Sequence, residues 1–162
     1  MSGNEREEAA LSDNDLLVMV PTRGRREQCE RLLETFTATA TCADLLFILD
    51  PDDAAYDGMQ WGEAATCVLE PREYLSGKLN KTGMAMAGLY PVLMWCGDDH
   101  VFKTPGWDKI MLGTLKGMGS CDRCRPGGPR DCAGHGWVYP DDKRRSDVPE
   151  IYMVSSDVVK AL

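Results

Sequence analysis

Three unbroken apolar runs constrain this chain most: Leu-Leu-Val-Met-Val at 16–20, Leu-Leu-Phe-Ile-Leu at 45–49 and Val-Leu-Met-Trp-Cys at 92–96. Each is too short for a buried helix and shows no polar alternation. A strand of that kind is apolar on both faces, so both faces of its sheet need covering. The segments between supply the cover. Residues 26–38 place Cys29, Leu32, Leu33 and Phe36 at helical spacing. Residues 77–90 read as a second helix, weakened by Gly83 and Gly88. Residues 106–118 read as a third, with Trp107, Ile110, Met111 and Leu115 on one side. Weaker strand character appears at 66–69, at Trp-Val-Tyr and at Ile-Tyr-Met-Val, and Ser155 is placed to cap a last helix. Alternating strands and helices predict an α/β sandwich around a mostly parallel sheet.

The chain has 162 residues, which suits one domain. Residues 1–15 are polar and acidic and lack the basic and apolar regions of a signal peptide, so they read as a disordered acidic tail before a domain at 16–162. A net charge of −8 excludes a global basic footprint for nucleic acid. An anionic ligand would need a local cation or a bridging metal. No apolar stretch reaches membrane-spanning length. Seven cysteines, four of them standing singly in periodic segments, suit reduced thiols and a cytoplasmic location.

Ligands of open α/β sheets bind beyond the carboxyl ends of the strands. Three such ends here are polar. The first carries Pro21, Thr22, Arg23 and Gly24, the second Asp50, Asp52 and Asp53, and the run at 92–96 leads into Asp98, Asp99 and His100. Any one of these reads as a solvated turn. Their shared position after strands makes one common site the better reading.

The segments VPTRGR, LFILDPDD, GKLN and GDDHVFKTPGWD, with WVYPDD and VPEIYMVSSDVVKAL further on, resemble the nucleotide-sugar-binding half of a GT-A glycosyltransferase. The likeness is to family 2-type enzymes, in particular the short glycosyltransferases of bacteriophages and actinobacteria. It spans residues 16–162 apart from a cysteine-rich stretch, and it implies the cytoplasm of a bacterial cell or phage-infected host. It also implies that Asp98, Asp99 and His100 are a variant of the Asp-x-Asp metal signature, holding Mn²⁺ or Mg²⁺ against the donor diphosphate. On an extended segment Asp98 and His100 would share one side. Pro21, Thr22, Arg23 and Gly24 would face base and ribose, with the Arg23 fork also suited to phosphate. Asp50, Asp52 and Asp53 would contact base or ribose, and Lys78, Asn80 and Lys81 would flank the diphosphate. An inverting transfer to an unknown acceptor needs a general base. Asp141 and Asp142 are the candidates within the chain, beside their plain reading as a turn. The last helix, with Val158, Val159 and Leu162, would need a cover from a partner or a further C-terminal segment. The resemblance therefore predicts donor binding with slow transfer by this chain alone.

Within the break at 119–136, Cys121, Cys124, Cys132 and His135 follow C-x2-C-x7-C-x2-H. Three thiolates and an imidazole can close a tetrahedral structural Zn²⁺ shell. Free thiols in a loop are the alternative. Two other functions compete with sugar transfer. A nucleotidyltransferase of related architecture would usually carry a Gly-rich loop after its first strand, where VPTRGRR has one glycine. A non-catalytic zinc-containing binding module would use Arg123, Arg125 and Arg130 in the cysteine-rich stretch.

Overall fold

The computed structural model describes residues 14–63, 65–117, 137–138 and 152–161. The chain runs β1 (Leu16–Pro21), α1 (Arg26–Thr39), β2 (Ala43–Leu49), a short 3₁₀ turn (Ala54–Tyr56), β3 (Ala65–Leu69), α2 (Leu75–Met86), β4 (Val92–Trp95), α3 (Trp107–Gly117), β5 (Trp137–Val138), β6 (Tyr152–Ser155) and α4 (Ser156–Ala161). Among the described residues the sheet has six strands in the order β3-β2-β1-β4-β6-β5. The first four of that order are mutually parallel, and β6 runs antiparallel to β4 and β5. The expected α/β architecture is thus observed.

Strand alternation divides the core into two layers. Leu16, Val18 and Val20 join Leu45, Phe47, Met94 and the buried faces of α1 and α3. Leu17, Met19, Ile48 and Leu93 join Ala87 after α2 and Val159 of α4. With helices on both faces, β1 leaves its five apolar residues at most 2% exposed, which is why its sequence shows no polar alternation. Gly83 of α2 lets that helix approach β4 closely, since a Cβ there would stand 3.1 Å from the Trp95 ring.

Two local expectations change. The buried stripe of α3 is Trp107, Asp108, Met111, Leu112 and Leu115, while Ile110 is exposed. Ile110 lies about 60° outside the arc set by 107, 111 and 115, on the side away from Leu112. Ser155 ends β6, and among the described residues its hydroxyl has no hydrogen-bond partner. It is Ser156 that reaches across, donating to the Tyr90 carbonyl. At the chain's other end Asn14 donates to Asp44 at 2.8 Å and the Asp15 carbonyl accepts from Val92 N at 3.1 Å, so both are tied to the domain.

Asp108 explains why Gly-Trp-Asp follows the acidic turn. Its carboxylate is fully buried and accepts from Thr41 N and Cys42 N at 2.6 Å each, and from the Thr41 hydroxyl at 3.1 Å. Gly106, at φ 68°, donates its N–H to Thr39 O at 2.7 Å. Trp107 stacks on Phe102 with centroids 4.5 Å apart. This motif fastens α3 to the α1–β2 turn and holds the far end of the segment that carries Asp98. No described helix is long and apolar enough to cross a membrane. Cys29, Cys42, Cys67 and Cys96 are free thiols.

Candidate functional site

The chain leaves β1 for β2 and β3 on one side and places β4 on the other, so the order reverses between β1 and β4. Loops diverge at such a point and leave a crevice above the sheet. A cleft of about 450 Å³ opens there, lined by the loop after β1, the ends of β2 and β4, and the segment leading into α2.

One wall is an ion-pair cluster. Asp50, the residue after β2, is 6% exposed and pairs with both Lys78 of α2 and Arg23. Burial pushes its carboxyl pKa up, but the Lys78 and Arg23 donors outweigh burial and the value falls below the ordinary one. Arg23 extends a second, longer fork to exposed Asp52, with both N–O distances 3.4 Å. Asp53 is turned away from the cleft. It accepts from Gly24 N at 2.7 Å and from Ala55 N at 3.1 Å, capping the 3₁₀ turn. Gly24 stands at φ 63°, a conformation that suits glycine.

The opposite wall is Asp98. It is 5% exposed, accepts from the Thr22 hydroxyl at 2.6 Å and pairs with Arg25 at 3.0 Å. Thr22 is held in turn by Tyr56, whose hydroxyl lies 2.6 Å from Thr22 Oγ1 and accepts from Arg25 N at 3.1 Å. The Cys29 thiol donates into the same pair, 3.2 Å from Thr22. Burial raises the Tyr56 pKa to about 12 and raises that of Cys29 as well, so both stay protonated donors at neutral pH.

The sequence-predicted residues therefore separate. Pro21, Thr22, Arg23, Asp50, Lys78, Asp98 and Asp99 all line the cleft. Gly24, Asp52 and Asp53 brace its loop from behind. Asn80 is exposed on α2, and Lys81 pairs with Glu70, so neither lines the cleft. Asp141, Asp142, Cys121, Cys124, Cys132 and His135 lie outside the described residues. Composition also hid functional candidates: Arg25, Arg72 and Glu73 line the cleft, and Tyr56 supports it from beneath. The closeness of Arg25 to the first loop was the available signal for that residue; nothing in the sequence pointed to Tyr56.

The extended geometry expected for Asp98 and His100 is replaced by a turn. Strand β4 ends at Trp95 and the chain turns through Asp98 and Asp99, so strand alternation no longer applies. Asp98 points inward and Asp99 outward. His100 folds back, with Nδ1 3.0 Å from Gly97 O and 3.4 Å from Asp99 Oδ1. A Cβ on Gly97 would meet Asp99 Oδ1 at 2.9 Å and His100 Nδ1 at 3.2 Å, so the turn needs glycine to let these two side chains fold back over it. Among the described residues no group of three or more His, Cys, Asp or Glu side chains forms a ready metal shell. Magnesium- and manganese-type sites commonly take one or two carboxylates and complete the shell with phosphate and water. Asp99 could begin a shell of that incomplete kind, and His100 could join it only through Nε2, since its Nδ1 faces the Gly97 carbonyl.

No protein-family model matches the chain, and no curated protein sequence matches it. Solved structures do. Mannosyltransferase PcManGT from Pyrobaculum calidifontis, in complex with GDP-Man and Mn²⁺, is similar with a TM-score of 0.62 at 14% identity, over 91% of this chain and 46% of that one. CMP:2-keto-3-deoxy-manno-octonic acid synthetase, complexed with CTP, is similar with a TM-score of 0.53 at 12% identity, over 91% of this chain and 76% of that one. At such identities the likeness is one of fold. The chain has the nucleotide-diphospho-sugar transferase-like fold and spans less than half the length of the mannosyltransferase.

Proposed function

We propose that the cleft binds a nucleotide-sugar donor and that the chain is the donor-binding domain of a glycosyltransferase. The observation that carries this reading is the convergence of Arg23, Arg25, Arg72 and Lys78 on one cleft at the sheet's switch point, in a chain whose net charge is −8. The lining also carries Asp50, Glu73, Asp98 and Asp99, so it offers cations for a phosphate and acceptors for base, ribose or a bridging metal, and a diphosphate is the anion that the fold's switch point suits. Apolar Pro21, Ile48 and Leu75 supply a surface for the flat base.

A divalent cation held by Asp99 and His100, with Asp98 behind them, would act as a Lewis acid on the departing diphosphate. The chain's own groups do the remainder. Lys78 and Arg23 hold Asp50 ionised and fixed as an acceptor for base or ribose donors. Thr22 and Tyr56 fix the direction of Asp98. A general base for the acceptor hydroxyl is assigned to Asp141 or Asp142, and a structural zinc to the Cys121, Cys124, Cys132 and His135 loop, on sequence grounds alone.

The test is a thermal-shift series with UDP-, GDP- and dTDP-sugars, each with Mn²⁺ and with chelator, followed by assay of nucleoside diphosphate release. One donor should raise the melting temperature, and more so with Mn²⁺. No shift with any of them would end the proposal. The synthetase-like fold favours a second reading, nucleotidyl transfer from a nucleoside triphosphate to a sugar acid. That reaction releases pyrophosphate instead of nucleoside diphosphate, so analysis of the products separates the two.

A further inference from the structure

We infer that Arg25 is the counter-ion that Asp98 exchanges for a divalent cation, and that the released guanidinium then binds the donor's diphosphate. The inference rests on the reading of the cleft as a donor site. Asp98 is buried, and a buried carboxylate needs a positive or hydrogen-bonding partner to offset its desolvation. Arg25 is the positive partner, at 3.0 Å on Oδ1, while Thr22 holds Oδ2 at 2.6 Å. The two oxygens differ in how replaceable their partners are. Thr22 is buried and held by Tyr56 and Cys29. The Arg25 side chain is 57% exposed, and Asp98 is its one hydrogen-bonded partner among the described residues. Withdrawing a guanidinium that is already half in water costs little desolvation.

The backbone allows the exchange. Arg25 N is fixed on Tyr56 Oη at 3.1 Å, and Arg25 O accepts from Cys29 N at 3.1 Å at the start of α1. The side chain can therefore swing while the loop stays in place. The destinations also match in charge. A hard divalent cation prefers the carboxylate oxygen that Arg25 vacates. A guanidinium prefers the paired oxygens of a phosphate. After exchange every charge again has an opposite partner. Before it, Arg25 screens Asp98 from metal, so metal and donor would be taken up together and not metal first.

The experiment measures binding of Mn²⁺ alone to the full chain, by the electron paramagnetic resonance of free Mn²⁺, for wild type, Arg25→Gln and Arg25→Lys. Each is repeated in an Asp98→Asn background. Arg25→Gln should bind Mn²⁺ at least roughly tenfold tighter than wild type, a conservative share of the repulsion removed between two cations at contact distance. Arg25→Lys, which keeps the charge, should stay near wild type. In the Asp98→Asn background the gain from Arg25→Gln should vanish, since the coupling runs through that carboxylate. Calorimetry with UDP and GDP at saturating Mn²⁺ should show Arg25→Gln binding its preferred diphosphate about tenfold more weakly, the loss of one charged hydrogen-bond pair, with the parent nucleoside unaffected; in chelator, where Arg25 stays on Asp98, the two should differ little. Unchanged or weaker Mn²⁺ binding by Arg25→Gln would overturn the inference, as would an equal gain without Asp98. A wild type that binds neither diphosphate would instead remove the donor-site reading, while the Mn²⁺ measurements would still decide the Asp98 exchange.

Discussion

Thr22 donates its hydroxyl proton to Asp98 across 2.6 Å, between residues 76 positions apart in the chain. The bond spans the switch point, joining the loop after β1 to the turn after β4. Thr22→Val keeps the shape and removes the donor, leaving one oxygen of a buried carboxylate without a hydrogen-bond partner. The cost should be about 1–3 kcal/mol, read as a lower urea midpoint with unchanged slope. Thr22→Ser should retain most of it. A valine variant as stable as wild type would mean that water satisfies Asp98.

The pairing of Asp50 with Lys78 predicts strong coupling. Both side chains are nearly buried, so Lys78→Met leaves Asp50 with Arg23 alone, and Asp50→Asn leaves Lys78 uncompensated. Each single variant should lose roughly 3–5 kcal/mol, the cost of breaking a buried pair. The double variant should lose clearly less than the sum. Additive losses in urea unfolding would refute the coupling. Donor binding should fall in all three variants.

Acid stability should report on Asp108. Burial disfavours its charged form, but hydrogen bonds from Thr41 N, Cys42 N, Lys109 N and the Thr41 hydroxyl prevail, and its pKa lies below the ordinary value. Its folded pKa is therefore lower than its unfolded one. The stability it contributes is complete above the unfolded carboxylate range and is lost as pH falls through the folded value. Asp50 acts in the same direction. The stability gap between wild type and Asp108→Asn should be widest near neutral pH and should shrink below about pH 4, the unfolded carboxylate pKa. A gap that stays constant down to pH 3 would contradict this assignment.

Backbone conformation gives a separate test at Gly24. Its φ of 63° is costly for a residue with a Cβ, although no atom lies within 4 Å of where that Cβ would stand. Gly24→Ala should cost about 1–2 kcal/mol from left-handed backbone strain alone. Gly24→Asn should cost less. If alanine is free of cost in thermal unfolding, the loop has relaxed and Arg23 should have lost its alignment on Asp50.

Metal dependence is expected to follow Asp99 and His100. In Mn²⁺, Asp99→Asn and His100→Ala should each weaken donor binding roughly tenfold or more, in the range seen for loss of groups that support a metal site. In chelator both should match wild type. Equal affinities in Mn²⁺ and chelator for the unaltered chain would remove the metal from the site.

The fold was legible because burial on two faces writes itself locally. A run such as 16–20 cannot be a surface strand, and helices of the right period between such runs leave few alternatives to a parallel sheet. The strand ends also pointed to Thr22, Arg23, Asp50 and Asp98 as neighbours, and these four do line one cleft, since loops diverge at a switch point. The partners were not legible, because hydrogen bonds between residues tens of positions apart have no sequence period. Nothing local says that Asp53 turns back to cap Ala55 and hold Gly24 while Asp50 faces Lys78, although the residues differ by three positions. Nor does the pattern at 106–118 separate Ile110 from Leu112, for which the facing sheet decides which arc is buried. The sequence by itself determined the layers and the strand ends at which the cleft opens. Tertiary structure alone decided which carboxylates are neutralised and by whom, because charge pairing depends on distances that only packing sets.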